Sequence, residues 1–223
     1  MTTKKVVTVT NGQGAQFMQM ARGKGVNRAR FQTALDDGTM GRVLDGIGAG
    51  LPITIGTPII PPPGGRFHIL TVPVVRDRDW QEAVNAAGPN TPADYNVHKV
   101  GDQYLPEGGS GKEELILLNF PSGGSWDKAI AWAGQFGLER TVPRQVFAIG
   151  EHKPKLHEKL GLNPMYVVAT EECSFDGNQR ACYVWWLDSE RGADLDWVSR
   201  FGSSLVWFAF RRKIGTQNLV TGS

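Results

Sequence analysis

Residues 181–212 read ACYVWWLDSERGADLDWVSRFGSSLVWFAFRR. Four tryptophans (Trp185, Trp186, Trp197, Trp207) and three phenylalanines (Phe201, Phe208, Phe210) alternate there with short runs of small or polar residues. Each large aromatic buries roughly 150–250 Å², so together they fix a frame. Between them stand Asp188, Ser189, Gly192, Asp194, Asp196, Ser199, Gly202, Ser203 and Ser204, types that tolerate turns and exposure. A rigid aromatic frame carrying substitutable polar positions is how recognition surfaces are built. The stretch predicts a binding module and leaves its ligand unnamed.

Upstream of this stretch the chain alternates strands and helices, which predicts an α+β domain over 67–223. Strands are expected at Met165–Thr170, Tyr183–Leu187 and Leu205–Phe210, which are dense in β-branched and aromatic residues. Glu114–Phe120 (ELILLNF) has the length and apolarity of a buried strand. Pro73 makes His68–Val75 an edge strand or splits it. Residues 76–88 predict a short helix, and 89–113 a long polar loop. Ser125 caps a helix from Trp126 to Phe136, with Asp127 placed to favour its dipole. Ala129, Ile130, Trp132, Ala133 and Phe136 supply its apolar face, and Gly137 ends it. Pro143 opens a second helix, with Val146, Phe147 and Ile149 facing inward.

The N-terminal residues differ in character. Residues 1–50 predict a small helical module, with one helix around Phe17, Met18 and Met20. A second follows Asn27 and buries Phe31, Ala34 and Leu35, and a third begins near Met40. Basic residues exceed acidic ones here, which raises a DNA-binding helix trio. The reading preferred is a packing or assembly module with a solvated basic face, able to make a homo-oligomer. Residues 51–66 form a Pro/Gly linker, in which Pro61–Pro63 enforce a polyproline conformation.

Bulk properties narrow the classes. The 223 residues carry a net charge of +2, which makes no case for nucleic acid or an anionic membrane. The 28 glycines exceed the usual share of about 7% and predict many turns. No apolar run follows the first basic residues as a signal peptide requires, and none reaches the ~18 residues of a membrane span. A cytoplasmic or virion-associated location is expected.

The stretch Trp126-x-x-Ala129-x-x-Trp132-Ala133-x-x-x-Gly137-Leu138, followed by Pro143 and Val146-Phe147-Ala148, resembles the helix–turn–helix entry of C-type-lectin-like domains. It is most similar to the branch shared by formylglycine-generating-enzyme-like proteins and the variable proteins of diversity-generating retroelements. Phe208-Ala209-Phe210-Arg211 resembles that branch's closing strand, and Trp185-Trp186 the aromatic pair before its loops. The resemblance spans about residues 114–213 and departs at the turn Arg140-Thr141-Val142-Pro143-Arg144. It implies a C-type-lectin-like mixed fold and ligand contacts at Tyr183, Leu187, Asp188, Asp194, Asp196, Ser199, Arg200, Gly202, Ser203, Ser204 and Leu205. Adenine-directed mutagenesis in that family diversifies asparagine-type codons, which cannot yield tryptophan. Trp185, Trp186, Trp197 and Trp207 are therefore expected as scaffold, together with Trp126, Trp132 and Phe210. The implied function is recognition of an unknown protein or surface ligand. The alternatives are a structural or virion-assembly protein and a formylglycine-generating-type oxidase relative.

No catalytic site, cofactor or metal is expected. Cys173 and Cys182 flank SFDGNQRA without the setting of a catalytic pair and read as structural, buried or bridged. Asp188, Asp194 and Asp196 lack the motifs of calcium-dependent sugar binding and read as a solvated acidic loop. His152 and His157, five apart with Pro154 between, do not share a helical face as zinc ligands would. Gly108-Gly109-Ser110-Gly111-Lys112 lacks the strand–loop–helix setting of a phosphate loop.

Overall fold

A computed structural model describes residues 11–23, 26–36, 40, 59–106 and 108–212. The chain divides into two compact units, 1–56 and 57–223. In the first, α1 spans Asn11–Gly23 and α2 spans Arg28–Asp36. Phe31 and Ala34 are half-buried as the helical spacing suggests, whereas Phe17, Met18 and Leu35 are exposed. This corrects the expected inward placement of these three side chains. The side chain of Met20 and the third helix beyond Met40 lie outside the described residues.

The second unit is α+β. Its elements are β1 (Arg66–Val75), α3 (Trp80–Ala87), a 3₁₀ turn (Val97–Gln103), β2 (Ser110–Asn119), α4 (Trp126–Gln135), β3 (Leu138–Arg140), α5 (Pro143–His152), α6 (Leu156–Leu160), β4 (Met165–Ala169), β5 (Cys173–Phe175), β6 (Asn178–Leu187), β7 (Glu190–Trp197), a 3₁₀ turn (Val198–Arg200) and β8 (Val206–Arg212). The eight strands form one mixed sheet in the order β1-β2-β8-β4-β6-β5, with β3 paired to β8 and β7 to β6. Pro73 does not split β1, which is an edge strand paired along its whole length to β2. The expected polar loop 89–113 instead contains the first 3₁₀ turn and the start of β2, so Ser110–Lys112 belong to a strand.

Strand alternation feeds two cores, one on each face of the sheet. Leu115, Leu117, Val167, Val184, Trp186, Trp207 and Ala209 pack with Trp80 of α3 and Phe147 of α5. Ile116, Leu118, Val168, Phe208 and Phe210 pack with Trp126, Ala129, Trp132 and Ala133 of α4. Ser125 caps α4 by accepting from the Lys128 N–H at 3.2 Å, as its sequence indicates. Part of the expected linker docks on this unit: Ile59 packs against the second core, and the Ile60 carbonyl accepts from Trp132 Nε1 at 2.8 Å.

β8 lies at the centre. It is antiparallel to β2 on one side. On the other it runs parallel to β4 as far as Ala209 and antiparallel to β3 from Phe210 onward. Where its partner changes, the Ala209 carbonyl accepts from Thr141 Oγ1 at 2.8 Å and Thr170 Oγ1 at 2.6 Å. Both threonines are wholly buried, and each directly follows one of the two strands that share that side of β8.

Burial separates frame from rim. Trp186→Ala and Trp207→Ala should each lower unfolding free energy by about 3–5 kcal/mol, because both rings are fully buried. Ser203→Tyr, at an exposed turn position, should cost less than about 1 kcal/mol. Urea unfolding of the three variants measures the difference, and equal midpoints for all of them would refute it.

Candidate functional site

The polar positions of 181–212 are set by one hairpin and one loop. β6 and β7 pair from Arg180↔Trp197 to Leu187↔Glu190. The second 3₁₀ turn and residues 201–205 then lead into β8. This loop is tied from beneath by Asn119, the wholly buried last residue of β2. Its Nδ2 donates to the Ser204 and Val206 carbonyls, each at 2.8 Å, and its Oδ1 accepts from Arg66 Nε at 2.9 Å. Gly202 meets the turn before α4: its carbonyl accepts from Gly124 N–H at 2.9 Å, and a Cβ at 202 would lie 3.1 Å from the Gly124 carbonyl. That approach leaves little room for a side chain at 202.

An open cleft of about 480 Å³ lies where this loop meets the start of α4. Trp126, Trp197 and Phe201 supply its aromatic wall, and Asp127, Asn178, Gln179 and Ser199 its polar groups. The wall is braced from inside. Trp126 donates to Glu172 at 2.9 Å, and Glu172 pairs with Arg140 at 3.1 Å. Phe201 packs edge-on against Tyr183 with ring centroids 5.4 Å apart.

Trp197 carries two guanidinium groups. Arg180, its cross-strand partner, lies 4.3 Å from the ring centroid and 5.2 Å from that of Phe175. Arg180 is only 9% exposed, and its Nε has no hydrogen-bond partner. Arg200 lies 4.1 Å from the Trp197 centroid and pairs with Asp196 at 3.2 Å. Cation–π contact offsets part of the cost of burying Arg180.

The structure divides the expected contact residues into three places. Ser199 and Gly202 line the cleft, with Asp196, Arg200, Ser203, Ser204 and Leu205 in the adjoining segments. Leu187 and Asp188 are exposed but lie at the β6–β7 turn. The length of β7 puts that turn about 25 Å away. Tyr183 and Asp194 face each other mid-hairpin. Two expectations are corrected here. Tyr183 is buried, its hydroxyl donating to Asp194 Oδ2 at 2.8 Å, so it braces the wall instead of presenting a free side chain. Residues 190–197 are a strand and not an acidic loop, with Ala193 and Leu195 in the first core and Asp194 and Asp196 at the alternate positions. Among the expected scaffold residues, Trp126, Trp132, Trp186, Trp207 and Phe210 are buried, whereas Trp185 and Trp197 are half-buried. Sequence reasoning gave Asp127 only a helix-dipole role and did not single out Asn119, Asn178, Gln179 or Arg180. The Asp176-Gly177 dipeptide is a hairpin signal, but it pairs 178–180 with 173–175, and only the β6–β7 register brings Arg180 beside Trp197.

Burial raises the Asp194 carboxyl above its ordinary range, against the lowering effect of the Tyr183 hydroxyl, and burial also raises Tyr183. Cys173 and Cys182 are buried and unbridged. The Cys182 thiol hydrogen bonds to Cys173 and lowers it to about 7, with Tyr104 and Arg180 adding to the effect, while burial raises Cys182. Among the described residues, no group of three or more His, Cys, Asp or Glu is placed to hold a metal ion, and no helix is long and apolar enough to cross a membrane.

Asn119→Leu leaves the Ser204 carbonyl and the Arg66 donor unmatched, and should lower unfolding free energy by about 2–4 kcal/mol in urea. A loss below about 0.5 kcal/mol would show that the loop is not held from β2. A raised carboxyl favours the folded state when protonated, so Asp194 contributes stability at low pH that is lost as pH rises through its folded pKa. Asp194→Asn should therefore gain stability relative to the parent between about pH 4 and pH 7, and a constant difference across that range would contradict the assignment.

Comparison with protein-family models, with curated proteins and with solved structures yields no match to this chain.

Proposed function

We propose that this chain is a ligand-recognition protein whose second unit has a C-type-lectin-like fold. Its contact surface is the cleft beside Trp197 together with the segments 196–205. The reading extends to a variable protein of a diversity-generating retroelement, acting on a protein or surface ligand and performing no chemistry on it. One observation carries the proposal. A cleft walled by Trp126, Trp197 and Phe201 adjoins a run of exposed or half-exposed polar residues (Ser199, Arg200, Ser203, Ser204) that lies between buried elements of the frame. Rigid aromatics give contact area at low entropic cost, and small polar neighbours adapt to different partners. The first unit, with Phe17, Met18 and Leu35 exposed, fits an assembly role that would present several such surfaces.

Sequencing the 3′ end of the gene across many cells of the source population tests the diversified part directly. Substitutions should concentrate at the codons for Leu187, Asp188 and the exposed residues of 196–205, and should spare Trp185, Trp186, Trp197 and Trp207. A uniform sequence would refute diversification and leave a recognition domain with a fixed ligand.

A further inference from the structure

The two arginines on Trp197 are held differently. Arg180 is buried and wedged between Phe175 and Trp197. Arg200 has a side chain 62% exposed, and its Nη1 lies 3.2 and 3.3 Å from the two carboxylate oxygens of Asp196. A guanidinium stacked on an indole and paired with a carboxylate is an arginine-recognition geometry, since one planar cation satisfies both partners. Here the group that fills it belongs to the same chain, on a flexible exposed stem. Exposed ion pairs of this kind are weak and easily exchanged.

The adjoining cleft has matching chemistry. Its lining contains Trp126, Phe201, the Asn178 and Gln179 amides and the Asp127 carboxylate, and no lysine, arginine or histidine. Asp127 is exposed and has no hydrogen-bond or ion-pair partner among the described residues. An acidic ligand in the cleft would meet the Asp127 carboxylate, whereas a cationic one would meet that carboxylate and an aromatic wall that includes Trp197.

We propose that Trp197 and Asp196 form an acceptor for an arginine side chain presented by a partner polypeptide, and that Arg200 occupies this acceptor in the free protein. The inference rests on the reading of the cleft as a recognition surface and names the chemistry of its ligand. Exchange of one guanidinium for another leaves the charge at Trp197 unchanged, so Arg180 opposes the incoming cation no more than it opposes Arg200. Arg200 is thus a competitor, and its removal raises the fraction of protein ready to bind.

The test is a titration of the full chain with N-acetyl-arginine methylamide, followed through the tryptophan indole N–H resonances in ¹⁵N–¹H spectra. The Trp197 signal is assigned with Trp197→Phe. It should shift saturably with the arginine probe and not with the neutral citrulline analogue. Arg200→Ala should tighten binding roughly threefold or more, and Asp196→Asn should weaken it. Arg200→Gln serves as a second variant, and unchanged signals from the other tryptophans verify the fold. No saturable shift at Trp197, an equal response to citrulline, or an Arg200→Ala affinity that is unchanged or weaker would overturn the proposal. A diversified gene without an arginine response removes only the ligand chemistry, whereas an arginine response from an invariant gene removes only the diversification.

Discussion

The carbonyl of Ala209 accepts two hydrogen bonds from buried threonine hydroxyls, and the rest of the second unit depends on that junction. At this point β8 exchanges a parallel partner, β4, for an antiparallel one, β3. Two strands ending against the same side of a third leave backbone groups without ladder partners, and buried polar groups of that kind are costly. Thr141 and Thr170 close the gap: each also accepts a hydrogen bond from the backbone N–H of the other, at 3.0 and 3.3 Å. With the fork closed, β8 runs unbroken through the centre of the sheet. Trp207 and Ala209 enter one core, and Phe208 and Phe210 the other.

The recognition end follows from this arrangement. A central strand buried on both faces fixes where the chain entering it must lie, and Asn119 ties the last residues of that entry to β2. The cleft is therefore bounded by a wall anchored in the second core and by a loop fastened at its base. Polar residues between those anchors are not needed for packing. The same logic explains why Trp197 differs from Trp186 and Trp207. It stands at the end of β7, outside the buried residues of the first core, with its ring against Arg180, which in turn lies over Phe175.

Much of the frame was legible in the sequence because its signals are local. The helix at Trp126 has a serine cap, an aspartate in its first turn and apolar residues at helical spacing, and it forms where those features place it. Glu114–Phe120 announced a buried strand by apolarity alone, yet the same run concealed Asn119, whose partners are 53, 85 and 87 residues away. β7 was misread because Gly192 and its aspartates look like turn residues, although Ala193, Leu195 and Trp197 alternate with Asp194 and Asp196 at the period of a strand. Tyr183 illustrates a related limit. The resemblance implies a contact role for this residue, but strand parity turns it onto the face that carries Phe201, and Asp194 opposite it satisfies the hydroxyl. The Arg180–Trp197–Arg200 stack was beyond local reading, since it depends on register across a hairpin.

Amide hydrogen exchange by NMR or mass spectrometry tests the central claim, a frame buried on both faces and a polar rim outside it that packing does not require. Amides of Ile116–Leu118, Val167–Ala169 and Trp207–Phe210 should exchange only through global unfolding, while those of Ser199–Leu205 should exchange through local opening at much lower free energy. Equal protection of the two sets, or exchange of β8 together with the loop, would contradict the account.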